Sequence, residues 1–271
     1  MSAPLLSVEG LGLDVPDAGS SGRRTPWRTI LDKVSFSLER GSALGVIGES
    51  GSGKSSLARA LTLLMPPQRG KIRFDHLDVT SLSGAELIAY RARVQLVFQD
   101  PMSALNPRRR VGQSIVRPVQ ALRRQRSANL DALAASLLER VGLSPSLADR
   151  YPHELSGGQR QRVNIARALS LDPEVLIADE VTSGLDVSAQ ARIVALLESL
   201  RRDTDLSLIF ISHDLSLVRS LCSDLLILRA GEVVESAPAN RVFAAPAHSY
   251  TRDLLAAIPL PDPEIGWLDR V

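Results

Sequence analysis

The most constraining feature of the sequence is a glycine-rich stretch, GESGSGKS, at residues 48–55. An apolar run, ALGVIG, precedes it, and SSLARALTLLM follows with helical spacing until Pro66 and Pro67. This order predicts a strand, a loop and a helix. The stretch fits the G-x-x-x-x-G-K-[ST] pattern, in which glycines let backbone N–H groups and a helix N-terminus surround phosphate oxygens. A glycine turn with a purely structural role is the weaker alternative.

The pattern assigns individual roles within the predicted phosphate site. Lys54 is expected to neutralise the β- and γ-phosphates of ATP, and the Ser55 hydroxyl to ligate Mg²⁺. Lysine is scarce, with three residues among 32 basic side chains, which argues against an accidental lysine inside the loop. The residues predicted to bind ATP are Gly48, Glu49, Ser50, Gly51, Ser52, Gly53, Lys54, Ser55 and Ser56.

Two acidic residues, Asp179 and Glu180, end another apolar run, VLIADE. If this run is a buried parallel strand, both carboxylates lie at the carboxyl edge of the sheet, beside the phosphate loop. Asp179 is then expected to hold Mg²⁺ through water, and Glu180 to activate the attacking water as general base. Without the phosphate loop, an acidic pair at a strand end would indicate only a solvated turn.

Two further polar residues follow predicted strands. Gln99 ends VQLVFQ, and His213 comes directly after LSLIFIS. Because parallel strands end at one edge of a sheet, we expect Gln99 to reach Mg²⁺ or the water, and His213 to be a second catalytic residue near the γ-phosphate. A lone loop histidine is more often an ordinary hydrogen-bonded residue, and this alternative stays open.

Composition excludes several classes of protein. The longest apolar runs, LSLIFI and LLIL, are far shorter than the roughly 18 residues needed to span a bilayer, and the start of the chain lacks a secretory signal, so a cytosolic location is expected. The single cysteine, Cys222, excludes an intrachain disulfide. Net charge is +2, and the arginine runs at 108–110 and 123–126 lack interleaved aromatics, so no direct nucleic-acid partner is expected.

A second glycine-rich turn, LSGGQRQR, occupies residues 155–162 and also opens onto a predicted helix. Together with GESGSGKS, VFQDP, VLIADE, SGLD and FISHD, in this order and spacing, it resembles the nucleotide-binding subunits of ABC transporters. The resemblance covers about residues 5–260. It implies an α/β fold: a P-loop NTPase (RecA-like) core with a mainly parallel sheet, an N-terminal antiparallel β region and an inserted α-helical subdomain.

The same resemblance implies a domain division. Residues 1–240 are expected to form the ABC-type ATPase domain, with its core at 1–98 and 171–240 and its helical subdomain at 99–170. Residues 241–271 are expected to form a C-terminal extension of the oligopeptide-transporter type. The pattern agrees, because helical spacing runs through residues 100–170 without a strand signal.

In this family two subunits pack head to tail, and each ATP lies between the P-loop of one and the LSGGQ turn of the other. The resemblance therefore assigns a partner-site role in ATP binding to Leu155, Ser156, Gly157, Gly158 and Gln159. Asp186 in SGLD resembles the residue at the dimer interface, and Gln99 the residue that senses the membrane subunit. A glycine turn at a helix N-terminus suits this role, since it directs N–H groups at an anion.

A narrower resemblance concerns VFQDPMSALNPRRRVGQSI and VFAAPAHSYTRDLLAAIPLPDP, which are similar to the shorter of the paired ATPase subunits of oligopeptide, dipeptide and nickel importers. It implies a second ATPase subunit, a paralogue or a copy, two membrane permeases and an extracytoplasmic solute-binding protein as partners. It also implies peripheral attachment to the cytoplasmic face of the membrane. HSYT stands here for the family's HPYT, and the C-terminal cysteines of some members, with their iron–sulfur cluster, are absent.

Two departures from the family pattern concern the site. Val181 replaces the usual proline after the catalytic glutamate, and the aromatic residue that stacks on adenine is missing at its expected position, near Val15. Trp27 is a candidate substitute, with packing of Trp27 on the core as the alternative.

Two other functions share much of this pattern. A soluble ABC-type ATPase acting on DNA or ribosomes would carry long coiled-coil or zinc inserts, or two ATPase copies, which this chain lacks. An export ATPase would have the same residues for ATP hydrolysis. The stretches LNPRRR and HSYTRDLL argue against export, because they resemble the importer subunits.

Overall fold

A computed structural model describes residues 3–16, 26–122 and 129–257. Residues 17–25, the 123–126 arginine run and the end of the C-terminal resemblance lie outside these ranges. The strands are β1 (Leu6–Pro16), β2 (Trp27–Leu38), β3 (Ala43–Ile47), β4 (Arg69–Phe74), β5 (Leu77–Asp78), β6 (Val94–Val97), β7 (Val175–Asp179), β8 (Ser207–Ile211), β9 (Asp224–Arg229) and β10 (Glu232–Pro238).

Helices occupy most of the remaining described chain, together with short 3₁₀ turns at Pro145–Asp149 and Pro152–Glu154. The α-helices are α1 (Lys54–Leu61), α2 (Gly84–Arg93), α3 (Pro101–Ala104), α4 (Val111–Leu122), α5 (Leu130–Arg140), α6 (Gly157–Leu169), α7 (Val187–Asp203), α8 (Leu215–Leu221), α9 (Ala239–Ala244) and α10 (Ser249–Ala256). None of the described helices is both long and apolar enough to cross a bilayer.

The central sheet has the strand order β10-β9-β3-β8-β7-β6. Strands β9, β3, β8, β7 and β6 run parallel, and β10 pairs antiparallel with β9. Every residue of β3, β7 and β8 is buried, which explains why these strands are continuous apolar runs rather than alternating ones. The predicted mainly parallel α/β core is thereby confirmed.

The second sheet, with the order β2-β1-β4-β5, is antiparallel and contains the N-terminal part of the chain. Its buried residues, such as Leu6, Leu11 and Ile72, share one hydrophobic core with α1 and with one face of the central sheet. The predicted antiparallel β region is therefore confirmed, and it covers one face of the parallel sheet.

Helices α3 to α6 follow β6 and precede β7, and no strand interrupts them in the described residues between 98 and 174. Their buried residues, including Ile115, Leu138 and Val163, join the core on the other face of the central sheet. Helix α5 ends at Arg140, and Gly142 follows in the left-handed region at φ 67°, as the glycine there predicts. Cys222 is buried in the same core, and burial raises the pKa of its thiol to about 12.

One predicted helix end is wrong. The helix after the glycine-rich loop ends at Leu61, well before Pro66, and Leu63 takes a left-handed φ of 54°. The Arg91 guanidinium on α2 donates hydrogen bonds to the carbonyl oxygens of Thr62 and Leu63. Pro66 and Pro67 have no N–H to donate to these two carbonyls, so Arg91, 28 or more positions away in the chain, supplies their hydrogen bonds, which local spacing could not reveal.

Candidate functional site

The glycine-rich loop connects β3 to α1 and is packed closely against β9. A Cβ atom on Gly48 would lie 2.1 Å from the carbonyl oxygen of Leu228. Gly53 has φ 107° and is the N-cap of α1, and its Cβ would lie 2.8 Å from Leu31 Cδ2. Glycine is needed at both ends of the loop for steric reasons, and at Gly53 also for backbone conformation.

Lys54 is buried at the base of this loop. Its ammonium donates hydrogen bonds to the carbonyl oxygens of Gly48 (2.7 Å) and Glu49 (2.8 Å). Burial lowers the pKa of Lys54, and the charges of Glu180, Asp179 and Glu49 act in the opposite direction. The loop therefore encloses a desolvated cation, and a phosphate oxygen is a suitable additional partner for it.

Two oxygen groups meet beside Lys54. The Ser55 hydroxyl donates to Asp179 Oδ1 at 3.1 Å, and Asp179, the last residue of β7, is buried. Burial raises the pKa of Asp179, partly offset by the Ser55 hydrogen bond. The Ser52 hydroxyl oxygen is also buried and has no hydrogen-bond partner among the described residues. These features fit a phosphate group and a hard cation such as Mg²⁺.

No cluster of three or more His, Cys, Asp or Glu that could bind a metal occurs in the described part of the chain. A cation at Ser55 and Asp179 would therefore depend on ligands beyond acidic side chains. Substrate phosphates and water are what Mg²⁺ ordinarily uses alongside one or two carboxylates.

Glu180 brings three other predicted site residues together. Gln99 Nε2 donates to Glu180 Oε2 at 2.8 Å, His213 Nδ1 lies 3.8 Å from the same oxygen, and Lys54 Nζ lies 4.0 Å from Oε1. Strand register explains the contact between Gln99 and Glu180. Val97 of β6 pairs with Ala178 of β7, and Gln99 and Glu180 each come two positions after these paired residues. The imidazole of His213 is 65 % exposed.

The backbone of Glu180 is strained. It has φ 47°, a left-handed conformation that costs a non-glycine residue about 1–2 kcal/mol. Hydrogen bonds hold it there: its N–H donates to the Ile211 carbonyl, and its own carbonyl accepts from the Ser183 N–H. Strain of this kind is concentrated at functional sites, and no pattern in the sequence revealed it.

The second glycine turn also opens onto a helix. Ser156 is the N-cap of α6, which begins at Gly157. The Ser156 hydroxyl accepts from the Gln159 N–H, and the Gln159 side-chain oxygen accepts from the Ser156 N–H, which forms a capping box. The side chain of Leu155 is buried in the hydrophobic core, so this residue contributes only its backbone to the surface of the turn.

Asp186 lies beside this second turn. Its carboxylate accepts from the Ala189 N–H and caps α7. A cavity of about 210 Å³ is lined by Ser156, Gly157, Gly158 and Asp186 together with Arg162 and Arg192. Gly48, Glu49 and His213 line a different cavity, of about 500 Å³. The predicted site residues thus form two groups on one chain.

Trp27 begins β2 and pairs with Pro16, so it lies beside Val15 at the end of the β1–β2 pair. Its side chain is 66 % exposed. The alternative that Trp27 packs on the core is therefore wrong, and a large aromatic surface is presented near the expected adenine position.

A groove that the sequence did not reveal lies between the central sheet and the helices α3 and α4. Its volume is about 560 Å³. Leu96, Phe98 and Pro118 contribute apolar surface, and basic side chains line it as well: Arg91, Arg109, Arg117 and Arg167. Phe98 in its lining directly precedes Gln99, whose side chain donates to Glu180.

Comparison with known proteins gives a consistent result. Residues 31–183 match the family model described as ABC transporter. A probable peptide ABC transporter ATP-binding protein of Sinorhizobium fredii is 47 % identical over 99 % of this chain and 76 % of its own length. The glutathione import ATP-binding protein GsiA of Escherichia coli is 45 % identical over 99 % of this chain, which spans 43 % of that longer protein.

Solved structures agree. An ATP-binding cassette determined as a dimer in a post-hydrolysis state, bound to ADP and Pi, superimposes with a TM-score of 0.75 at 26 % identity, covering 86 % of this chain and 98 % of its own. The protein cbiO1 of Clostridium perfringens, part of an ABC transporter complex, has a TM-score of 0.76 at 27 % identity, covering 90 % of this chain and 92 % of its own.

We predict that Gly48→Ala lowers the affinity for ATP about fivefold or more, because overpacking of a rigid site costs about 1–3 kcal/mol and the Leu228 carbonyl oxygen belongs to the backbone, which cannot rotate away as a side chain can. Titration with a fluorescent ATP analogue measures the affinity. Gly41→Ala is the control, since a Cβ there meets nothing within 4 Å even though the φ of Gly41, +70°, strains an alanine backbone. Equal affinity of Gly48→Ala and wild type would contradict the close packing of this loop.

Proposed function

The chain belongs to the ABC transporter family, and from this premise we propose that it is the ATP-hydrolysing subunit that powers import of peptides, or of a related small solute, across the cytoplasmic membrane. ATP hydrolysis coupled to transport is the activity of the family. The observation that carries the proposal is the convergence of Lys54 with Asp179 and Glu180, from two widely separated parts of the chain, on one glycine loop.

The names of relatives support peptides as the imported solute. Besides the Sinorhizobium protein, a putative peptide import ATP-binding protein of Brucella ovis is 44 % identical over 96 % of this chain and 80 % of its own length. These names favour import over export, and transport over a soluble ATPase that acts on nucleic acid or ribosomes.

We assign ATP to the loop residues 48–56. Backbone N–H groups and the ammonium of Lys54 would bind the β- and γ-phosphates, and the Ser52 hydroxyl, which has no hydrogen-bond partner among the described residues, lies in the same loop. Ser55 and Asp179, with Gln99 nearby, would hold Mg²⁺. When bound, this ion would neutralise charge that develops on the phosphate oxygens.

Glu180 is the proposed general base. Its Oε2 accepts from Gln99, which orients the carboxylate, and His213 lies near the same oxygen. Because the Glu180 backbone is held in a strained conformation, the carboxylate position depends on the surrounding hydrogen bonds rather than on a relaxed turn. This arrangement suits removal of a proton from an attacking water.

The second glycine turn is proposed to bind the ATP of a partner ATPase subunit. Ser156, Gly157 and Gly158 line a cavity to which no residue of the phosphate loop contributes, so one chain would present two half-sites. Two basic side chains, Arg162 and Arg192, line the same cavity and favour an anion. Asp186 would lie at the interface. The solved dimeric cassette bound to ADP and Pi supports this pairing.

The groove beside Gln99 is the proposed docking site for a permease segment. It combines apolar surface with four arginine side chains, and Phe98 in its lining directly precedes Gln99, so an occupant could affect the position of Gln99. Two permeases and an extracytoplasmic solute-binding protein complete the proposed importer, and this subunit would be attached peripherally at the cytoplasmic face.

Trp27 is proposed to stack on adenine. We predict that Trp27→Ala lowers ATP affinity about fivefold or more, since stacking of a base on an aromatic side chain is worth about 1–3 kcal/mol. Trp27→Phe should retain most of the affinity, because a ring remains. Leu77→Ala removes a comparably exposed side chain from the same sheet and is the control. Unchanged affinity in Trp27→Ala would refute the assignment.

For the second half-site, Ser156→Arg is expected to leave ATP binding to the isolated subunit intact and to abolish hydrolysis, because the longer side chain would fill the cavity that receives the partner's nucleotide. Loss of the N-cap alone costs about 1 kcal/mol of stability, so Ser156→Asp, which keeps a capping oxygen, is tested in parallel. Exposed Ser136→Arg is the control. Normal turnover in both Ser156 variants would rule out the paired site.

Replacement of the base, Glu180→Gln, should retain ATP and stabilise a closed dimer, while hydrolysis falls about 10²- to 10⁴-fold. Phosphate release measures hydrolysis, and size-exclusion chromatography with ATP and Mg²⁺ measures dimer formation with the partner subunit. Glu232→Gln, an exposed carboxylate on β10, is the control. Undiminished steady-state hydrolysis in Glu180→Gln would eliminate Glu180 as base.

A further inference from the structure

Helix α10, near the end of the described chain, contacts the glycine-rich loop through one side chain. The hydroxyl oxygen of Tyr250 accepts a hydrogen bond from the Glu49 N–H at 3.0 Å, across 201 positions of sequence. Tyr250 is buried, and the Arg229 guanidinium lies 4.8 Å from the centre of its ring. Burial raises the pKa of Tyr250, so the group stays a neutral phenol at physiological pH.

The peptide group between Gly48 and Glu49 connects this phenol to Lys54. Its N–H donates to Tyr250, and its carbonyl oxygen, that of Gly48, accepts from Lys54 Nζ at 2.7 Å. In a planar trans peptide the N–H and the C=O point in opposite directions. Fixing the N–H on Tyr250 therefore fixes the direction in which the carbonyl meets the ammonium.

Tyr250 is itself held rigidly. Glu235 on β10 accepts hydrogen bonds from the N–H groups of Ala247 (2.9 Å) and His248 (3.0 Å). His248 Nδ1 accepts from the Tyr250 N–H at 3.1 Å and caps α10. Burial by itself would raise the pKa of Glu235. These backbone hydrogen bonds help keep the pKa of Glu235 below its ordinary value, so the carboxylate stays ionised. Hydrogen bonds thus connect the start of helix α10, which contains Tyr250, to strand β10.

We propose that Tyr250 is a positioning residue for ATP binding: through the Gly48–Glu49 peptide it orients the carbonyl that holds the Lys54 ammonium at the phosphate site. This proposal rests on the proposed function, in which Lys54 binds the β- and γ-phosphates. The C-terminal segment that contains HSYT is then a structural part of the nucleotide site. Loss of the hydroxyl frees the peptide to rotate and weakens binding of the nucleotide phosphates.

The test compares Tyr250→Phe with Tyr90→Phe in the full chain. Each change removes one hydroxyl from a buried tyrosine that hydrogen-bonds to backbone, and Tyr90 donates to the Leu61 carbonyl, away from the loop. Tyr250→Phe keeps the ring that Arg229 contacts. We expect the Kd for a non-hydrolysable ATP analogue, and KM, to rise about three- to tenfold in Tyr250→Phe, the effect of one hydrogen bond, with kcat at saturation unchanged. Tyr90→Phe should leave both constants at wild-type values.

A second measurement reports Lys54 directly. Because the chain has only Lys33, Lys54 and Lys71, ¹³C-lysine labelling gives three Cε signals, and Lys54→Met identifies the one from the loop. In Tyr250→Phe the Lys54 signal should shift, while the other two stay in place. Tyr90→Phe should leave all three unchanged.

The outcomes separate the two proposals. Failure of the wild-type chain to bind the ATP analogue would overturn the proposed function. Wild-type binding with an unchanged Kd in Tyr250→Phe would overturn the positioning role alone. A raised Kd with an unshifted Lys54 signal would overturn the route through the Gly48–Glu49 peptide.

Discussion

Parallel pairing of buried strands is the constraint on which the rest of the structure depends. Strands β3, β8, β7 and β6 lie side by side and run in the same direction, so the residues that follow these strands all lie at one edge of the sheet. The phosphate loop, Asp179 with Glu180, Gln99 and His213 all occupy that edge. Chemistry from four separate parts of the chain is thereby assembled without long-range recognition between the polar groups themselves.

The residues at this edge of the sheet lower the stability of the fold. Lys54 and Asp179 are buried charged groups whose pKa values are displaced toward their neutral forms, and Glu180 has a strained backbone. Packing elsewhere offsets these costs, since both faces of the central sheet are covered by continuous hydrophobic cores. Such a site is suited to bind a ligand, because a phosphate would neutralise the buried charge of Lys54 and a cation would neutralise that of Asp179.

Much of this arrangement was predictable from the sequence, and the errors have identifiable causes. Continuous apolar runs predicted the parallel strands, and the family resemblance, confirmed by the matched model and relatives, predicted the fold class and the ATPase activity. The predicted end of α1 was wrong because the chain leaves the helix before Leu63, which has a left-handed φ, and Arg91 on another helix donates to the carbonyls of Thr62 and Leu63. Burial of Trp27, one of two alternatives, was wrong because its side chain extends into solvent. The roles of individual site residues stay predictions.

The sequence by itself determined the local features: the loop that needs Gly53 at positive φ, the Ser156 capping box and the order of strands and helices, because each depends on residues within a few positions of one another. Only the tertiary structure decided that Gln99 bonds Glu180, that Glu180 is strained, that Phe98 lines a groove, and that Tyr250 reaches Glu49. These contacts join residues far apart in the chain, and long-range packing leaves no periodic or local signal by which a single sequence would reveal them.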